Sequence, residues 1–209
     1  ALPVAAAAPF PATREAAMAL SLLTPPALEP VSLAEAKAHL RIDAADEDAV
    51  LSRVIAAARE HLERSLGRAL LAQSWRYTLD AWPSGYAVGL PLAPVQSVDS
   101  VKVYAQDDSS TTLPVGSYLL DGLGAPARLI RRGAQAWPAA TRAGNGVEIN
   151  FTAGHGSAPT DVPAALRVAL LLLAAHWFEH REVVEPQGAV APMPMMVADL
   201  IGPYRVRHL

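Results

Sequence analysis

The sequence predicts an α+β fold: a helical body, made of two N-terminal helices and one long helix, with a small β-rich insertion. Two stretches with apolar residues at helical spacing come first, at residues 33–41 and 47–66. Residues 73–152 then change to the alternating pattern of short strands. The most apolar stretch of the chain, residues 162–182, returns to helix. Helices that enclose a block of strands in this way are typical of an α+β domain.

The first helix begins at a recognisable signal. Ser32 and Glu35 have the spacing of a capping box, in which each side chain bonds the other residue's backbone N–H. We therefore expect a short helix over residues 33–41, followed by an acidic turn.

The second helix carries one apolar stripe over residues 47–66, with Asp46 as the expected N-cap and Gly67 as the residue that ends it. Two pairs of opposite charge, Arg59–Glu63 and Glu60–Arg64, stand four residues apart. We expect both pairs on the solvent face, each worth a few tenths of a kcal/mol.

Strands are expected where apolar and polar residues alternate. The clearest is the last, Val147–Phe151, which alternates strictly and ends at Gly154 and Gly156. About five or six short strands are predicted in all, at 73–80, 98–104, 118–120, 127–131 and 147–151.

The long helix, residues 162–182, is expected to be the core element on which the domain packs. It has no polar side chain from Val168 to Ala175. Asp161 is a possible N-cap, and Pro163 stands in the first turn, where its missing N–H costs nothing. An apolar run this short does not reach the roughly 18–20 residues that cross a bilayer. We therefore expect a buried helix and no membrane partner.

Composition excludes several kinds of site. The 209 residues include no cysteine, so a disulfide framework, a thiolate metal site and a cysteine nucleophile are excluded. The net charge is −3, and no phosphate-cradling loop, carboxylate dyad or catalytic triad pattern is present. We expect no enzyme activity and no cofactor.

The histidines offer one weak alternative. His176 and His180 share a helical face and could bind zinc if a third ligand arrived from elsewhere, but the glutamate of a zincin helix is missing. His155 lies between two glycines. A residue of a loop that joins strand to helix is a simpler interpretation of it than a catalytic base.

Four arginines form a second candidate site. No acidic residue separates Asp121 from Glu148, and the arginines surround Trp137 in this interval. Such a patch could contact phosphate or an acidic protein surface, or it could be a charged strand edge that resists aggregation. This basic contact patch, which is also the basis of an alternative DNA-binding function, comprises Arg128, Arg131, Arg132 and Arg142.

The ordered series of motifs resembles the gp6-like head–tail connector (adaptor) proteins of tailed bacteriophages and gene transfer agents. The resemblance covers Leu20 to about Leu209. The segments that carry it are SLAEAKAHLRID from Ser32, AAREHLERSLGRAL from Ala57, QSW from Gln73, LPLAPVQSVDSVKVY from Leu90, VEINFTAGHG from Val147, VPAALRVALLLLAAHWFEHRE from Val162 and IGPYRVRHL from Ile201.

The resemblance implies a structural adaptor in the neck of a phage or gene transfer agent particle, assembled in the bacterial cytoplasm. It implies a homo-oligomeric ring, of about twelve subunits if it follows the symmetry of the portal. The ring would bind the portal protein on one side and a stopper or tail-terminator component on the other. DNA would pass through its lumen without sequence-specific binding.

Three segments are expected along the chain: a disordered Ala/Pro leader (1–21), the folded domain (22–182), and a flexible linker with a docking segment (183–209). The docking segment carries apolar residues beside arginines, as a binding segment does. Its portal-docking residues would be Leu200, Ile201, Tyr204, Arg205 and Arg207. The alternative is that the same residues fold back on the long helix of their own subunit.

Overall fold

The computed structural model describes residues 18–134, 136–180 and 195–206. It confirms the α+β architecture and the three predicted helices, which are α1 (Leu33–Leu40), α2 (Asp48–Leu66) and α3 (Ala164–Glu179). A short fourth helix, α4 (Met195–Ile201), packs against α3. None of the helices in these ranges is long and apolar enough to cross a membrane.

The strands form two antiparallel sheets. The larger has the order β1-β2-β8-β4-β5, and the smaller has the order β3-β7-β6. The strands are β1 (Met18–Thr24), β2 (Gln73–Leu79), β3 (Ala87–Gly89), β4 (Val95–Tyr104), β5 (Ser110–Thr112), β6 (Tyr118–Asp121), β7 (Arg128–Arg131) and β8 (Val147–Ala153).

Two hydrophobic cores divide the molecule. The helical core contains Leu62, Leu170 and Ile201, and the core of the insertion contains Val101, Ile149 and Phe151; each of these side chains is almost fully buried. The strict alternation of β8 explains its central place in the larger sheet, because it pairs with β2 on one side and β4 on the other.

Local signals set the helix ends only in part. The capping box of Ser32 and Glu35 is present as predicted, and Gly67 ends α2 in the left-handed conformation. The predicted caps Asp46 and Asp161 are wrong, because Glu47 and Pro163 hold the N-cap positions of α2 and α3. α3 is also shorter than predicted, since it begins two residues later and ends at Glu179.

The N-terminal boundary of the domain is also corrected. Residues 18–21, assigned to the leader, belong to β1, which pairs with β2 from Met18 opposite Leu79 to Thr24 opposite Ser74. β1 lacks strict alternation and all seven of its residues are exposed, so no burial pattern in the sequence marks it. β3 and β5, each of three residues, were also missed.

Candidate interaction surfaces

The C-terminal segment lies on its own subunit. Ile201 and Val197 are completely buried in the helical core, and Leu200 and Tyr204 pack against that core half-buried. The carbonyl of Tyr204 accepts a hydrogen bond from Arg68 Nε, and Val206 N–H donates to the carbonyl of Leu66. The structure therefore favours the alternative in which this segment folds back on its own helices.

This packing changes which residues a partner can reach. Ile201 fills the core of its own subunit, so a partner cannot reach it in this conformation, and its docking role stays a prediction. Arg205 is exposed beside it, and Arg207 lies outside the described residues. Met195 and Met196 of α4 are 81% and 63% exposed and add an apolar surface that the sequence did not indicate.

The four arginines of the predicted basic patch are engaged in different ways. Arg128 forms an ion pair with Asp121 across the β6–β7 pair, at 2.6 Å. Arg142 donates to the carbonyls of Gly144 and Asn145, and its guanidinium lies 4.0 Å from the centre of the Tyr104 ring.

The other two arginines stand at the end of β7. Arg131 has a buried Nε without a hydrogen-bond partner, whereas Arg132 is exposed. Because Arg128 and Arg142 already have partners, the four side chains do not present one open basic face.

A buried charged cluster joins the helical body to the insertion. Arg59 and Glu63, predicted on the solvent face, are only 7% and 8% exposed. Glu63 accepts hydrogen bonds from Arg59 at 2.8 Å, from the Leu70 N–H at 2.8 Å and from Gln73 Nε2 at 2.6 Å. The prediction was wrong because these bonds reach across the turn that leads from α2 into β2, which helical spacing does not reveal.

Burial and pairing act against each other in this cluster. Desolvation raises the pKa of Glu63, although the bonds from Leu70, Arg59 and Gln73 favour its charged form. Desolvation by itself would lower the pKa of Arg59, but the carboxylates of Glu63 and Glu29 outweigh it and raise that pKa. Three hydrogen-bonded partners allow the Glu63 carboxylate to be buried at all.

The loop from β8 to α3 is tightly packed. Gly154 has a φ of 134°, and a side chain there would place its Cβ 2.2 Å from the carbonyl oxygen of Leu71. The next residue, His155, donates its backbone N–H to the carbonyl of Leu70, and its Nε2 is buried without a hydrogen-bond partner. Desolvation, then the charge of Arg68, lowers the pKa of the His155 imidazole.

The histidine pair has no metal-site geometry. The rings of His176 and His180 lie 4.4 Å apart, and His180 Nδ1 is 3.0 Å from the carbonyl oxygen of His176. Within residues 18–134, 136–180 and 195–206, no group of three or more metal-binding side chains comes together. The contacts described here are therefore those of a helix end.

Two tryptophans line a cleft that the sequence did not indicate. Trp82 and Trp137 stack with ring centres 4.2 Å apart and planes 9° from parallel, and Trp82 Nε1 donates to the carbonyl of Pro138. With Pro83, Tyr86 and Arg131 they line a cleft of about 450 Å³. The two tryptophans are 55 positions apart, so no local pattern could have paired them.

A family model matches part of the chain, and solved structures match most of it. The family described as "Phage gp6-like head-tail connector protein" matches residues 30–112. A chain in a structure titled "Neck of empty GTA particle computed with C6 symmetry" is 31% identical with a TM-score of 0.78, and the match covers 91% of this chain and 97% of that one. The protein belongs to the gp6-like head–tail connector family.

Two further structures are similar to this connector over 91% of its length. One, titled "Virion of native gene transfer agent (GTA) particle", is 30% identical with a TM-score of 0.76 and is covered over 96% of its length. The other, titled "Neck of native GTA particle computed with C12 symmetry", is 29% identical, also with a TM-score of 0.76, and is covered over 97%. No curated protein sequence matches the connector.

Proposed function

We propose that this connector is a subunit of a homo-oligomeric ring in the neck of a phage or gene transfer agent particle. The ring joins the portal protein to a stopper or tail-terminator component and continues the DNA channel. The observation that carries the proposal is the similarity to a neck chain over 97% of that chain's length. The same match covers 91% of this chain, so it is not confined to one of the two cores.

The subunit number is proposed from symmetry. Similar chains belong to necks computed with C6 and C12 symmetry, and twelve copies satisfy both. A closed ring needs two different patches on each subunit that fit each other, because neighbours meet head to tail. Exposed apolar residues on β1 and on α3, including Leu22 at 45% and Val168 at 46%, are candidates for such patches.

A passive channel fits the charge of the chain. A protein that grips duplex DNA supplies lysines and arginines to many phosphates. This chain has a net charge of −3, and two arginines of its basic segment have partners within the subunit. DNA therefore passes through the lumen without being held by it.

Portal contact is assigned to the outer face of the C-terminal segment. Val197 and Ile201 fix α4 to its own subunit, and Met195, Met196 and Arg205 are left exposed beside them. Apolar side chains rimmed by arginine are favourable in a protein interface. Arg207 completes the proposed set from outside the described residues.

The test is reconstitution with the portal of the same particle. Purified connector should add a ring to the portal, visible by electron microscopy, with twelve-fold symmetry. The variant Met195→Asp/Arg205→Glu should remain folded and fail to join the portal, whereas Arg53→Glu, on the exposed face of α2, should join normally. A folded wild-type connector that adds no density to the portal would refute the proposal.

The alternative function is a DNA-binding module that uses the segment from Arg128 to Arg142. Arg132, exposed at the end of β7, is the observation in its favour. On that alternative, the isolated chain binds duplex DNA and loses affinity steeply as salt rises. The proposed connector role instead predicts weak binding that Arg132→Ala hardly changes.

A further inference from the structure

The cleft lined by Trp82 and Trp137 has the chemistry of a proline-binding groove. Two stacked indoles, the ring of Pro83 and the 58% exposed Tyr86 give it apolar, flat walls. Grooves of this kind bind extended proline-rich peptides, whose left-handed helix is already rigid and loses little entropy on docking. The connector role described above assigns no task to this cleft.

The start of β1 shows which segment can reach the cleft. Met18 pairs with Leu79, the last residue of β2, and the two strands are antiparallel. Residues before Met18 therefore leave the sheet in the direction in which β2 continues, and Trp82 comes three residues after Leu79. The chain therefore enters β1 at the end of the sheet from which β2 continues toward Trp82.

The sequence of that preceding chain fits the groove. Its seventeen residues contain Pro3 and the run Pro9-Phe10-Pro11. Pro11 is seven positions before Met18, which allows a reach of roughly 23 Å at about 3.3 Å per residue. Trp82 lies at most about 10 Å from Leu79, because three residues separate them at about 3.3 Å per residue. The second proline-containing segment, residues 183–194, instead stands in the sequence between α3 and α4, which both pack in the helical core.

We propose that the leader of this same chain docks through Pro9-Phe10-Pro11 into the cleft formed by Trp82, Tyr86, Arg131 and Trp137. Phe10 supplies the apolar side chain, and the flanking prolines keep the segment extended. The leader thereby covers the apolar walls of this cleft.

The test is nuclear magnetic resonance on the full-length chain, followed at the indole N–H signals of its tryptophans. Phe10→Ala should shift the signals of Trp82 and Trp137 and leave that of Trp177, in the helical core, unchanged. Pro192→Ala, in the other proline-containing segment, is the matched control and should move neither indole of the cleft.

A reciprocal pair of variants separates docking from indirect effects. Tyr86→Ala removes an exposed wall of the cleft and should shift the amide signals of Phe10, Ala12 and Thr13, whereas Val115→Ala, at a residue 74% exposed, should not. The proposal is overturned if Phe10→Ala leaves both cleft indoles in place, or if Pro192→Ala moves them instead. It is also overturned if the response to Phe10→Ala disappears on dilution, because the occupant would then be another copy.

Discussion

At the scale of single residues, Glu63 shows how tertiary contacts change the energetic role of a surface-like charge. Its spacing from Arg59 suggests a solvent-exposed ion pair, but it receives three hydrogen bonds from buried donors. Two of those donors lie in the segment that starts the insertion. The carboxylate therefore fixes how the insertion leaves α2.

We expect Glu63→Ala to destabilise the chain by about 3–5 kcal/mol, because it leaves Leu70, Gln73 and Arg59 without their shared acceptor. Chemical denaturation of the purified subunit measures this. Glu60→Ala is the control, since its side chain is 61% exposed, and it should change stability by less than about 1 kcal/mol. Equal effects of the two substitutions would contradict the structural role of Glu63.

His155 should make stability depend on pH. Its folded pKa is lowered by burial, so the unfolded chain, with a pKa near 6.5, binds the proton more readily. The contribution of the neutral His155 side chain to the free energy of unfolding is therefore fully present above pH 6.5. It is lost as the pH falls below that value toward the lowered pKa of the folded state.

Thermal melts between pH 7.5 and about pH 5 should show a smaller acid-side loss of stability in His155→Gln than in the wild type. His180→Gln, at an exposed residue, should retain the wild-type dependence. If His155→Gln and the wild type lose stability in parallel, the buried imidazole is not the titrating group.

At the scale of elements, the sequence predicts α3 as the helix on which the domain packs. The two faces of this helix differ in burial. Leu170 is completely buried, whereas Val168 on the same helix is 46% exposed. The uniform apolarity of the sequence predicts burial on all sides, and the isolated subunit buries only part of the surface. A ring neighbour would cover the remainder in the proposed assembly.

Leu170→Asp should therefore prevent folding or cost more than about 4 kcal/mol, since it puts a charge into the helical core. Val168→Asp should leave the melting temperature of the isolated subunit nearly unchanged and impair ring formation on the portal. Differential scanning calorimetry with an assembly assay distinguishes the two. A soluble Leu170→Asp variant with the wild-type melting temperature would show that α3 is not the core element.

The C-terminal segment is part of the fold as well as a proposed docking surface. Deleting Asp199–Leu209 should cost about 3–5 kcal/mol, because Leu200, Ile201 and Tyr204 leave the helical core together. Arg205→Ala, which removes only an exposed side chain, should keep the wild-type stability. A deletion variant that melts like the wild type would indicate that these contacts contribute little.

At the scale of the whole molecule, two cores are held together by hydrogen bonds at one junction. The backbone of Leu70 bonds both to Glu63 of α2 and to His155 before α3, and Ala72 N–H donates to the carbonyl of Gly156. The helical body and the insertion therefore share the turns by which the chain enters and leaves the β region. We expect the two parts to unfold as one unit.

Two optical signals can check this cooperativity. Trp75, Trp82 and Trp137 pack on the core of the insertion, so tryptophan fluorescence follows mainly that part, whereas far-ultraviolet circular dichroism at the helix minimum follows the helical body. The two denaturation curves should coincide. Separate midpoints would contradict a single cooperative unit.

The α+β class, the three main helices, the strands other than β1, β3 and β5, and the family resemblance could all be predicted from the sequence. These features depend on local periodicity and capping, as the Ser32–Glu35 box and the alternation of β8 illustrate. Such signals act within a few residues and survive in almost any tertiary arrangement.

Four features arise from tertiary packing and could not be predicted: β1, the burial of Arg59 and Glu63, the position of Ile201 and the Trp82–Trp137 cleft. Each depends on residues far apart in the chain: Met18 on Leu79, Glu63 on Gln73, and Ile201 on the helical core. A fully exposed strand has no alternating burial that the sequence could reveal. Two opposite charges four residues apart have the same spacing in the sequence whether the ion pair is solvent-exposed or buried. The physical reason is that burial depends on how distant parts of the chain pack together. Whether one of these residues is buried or exposed is therefore determined by the complete fold and not by its neighbours in sequence.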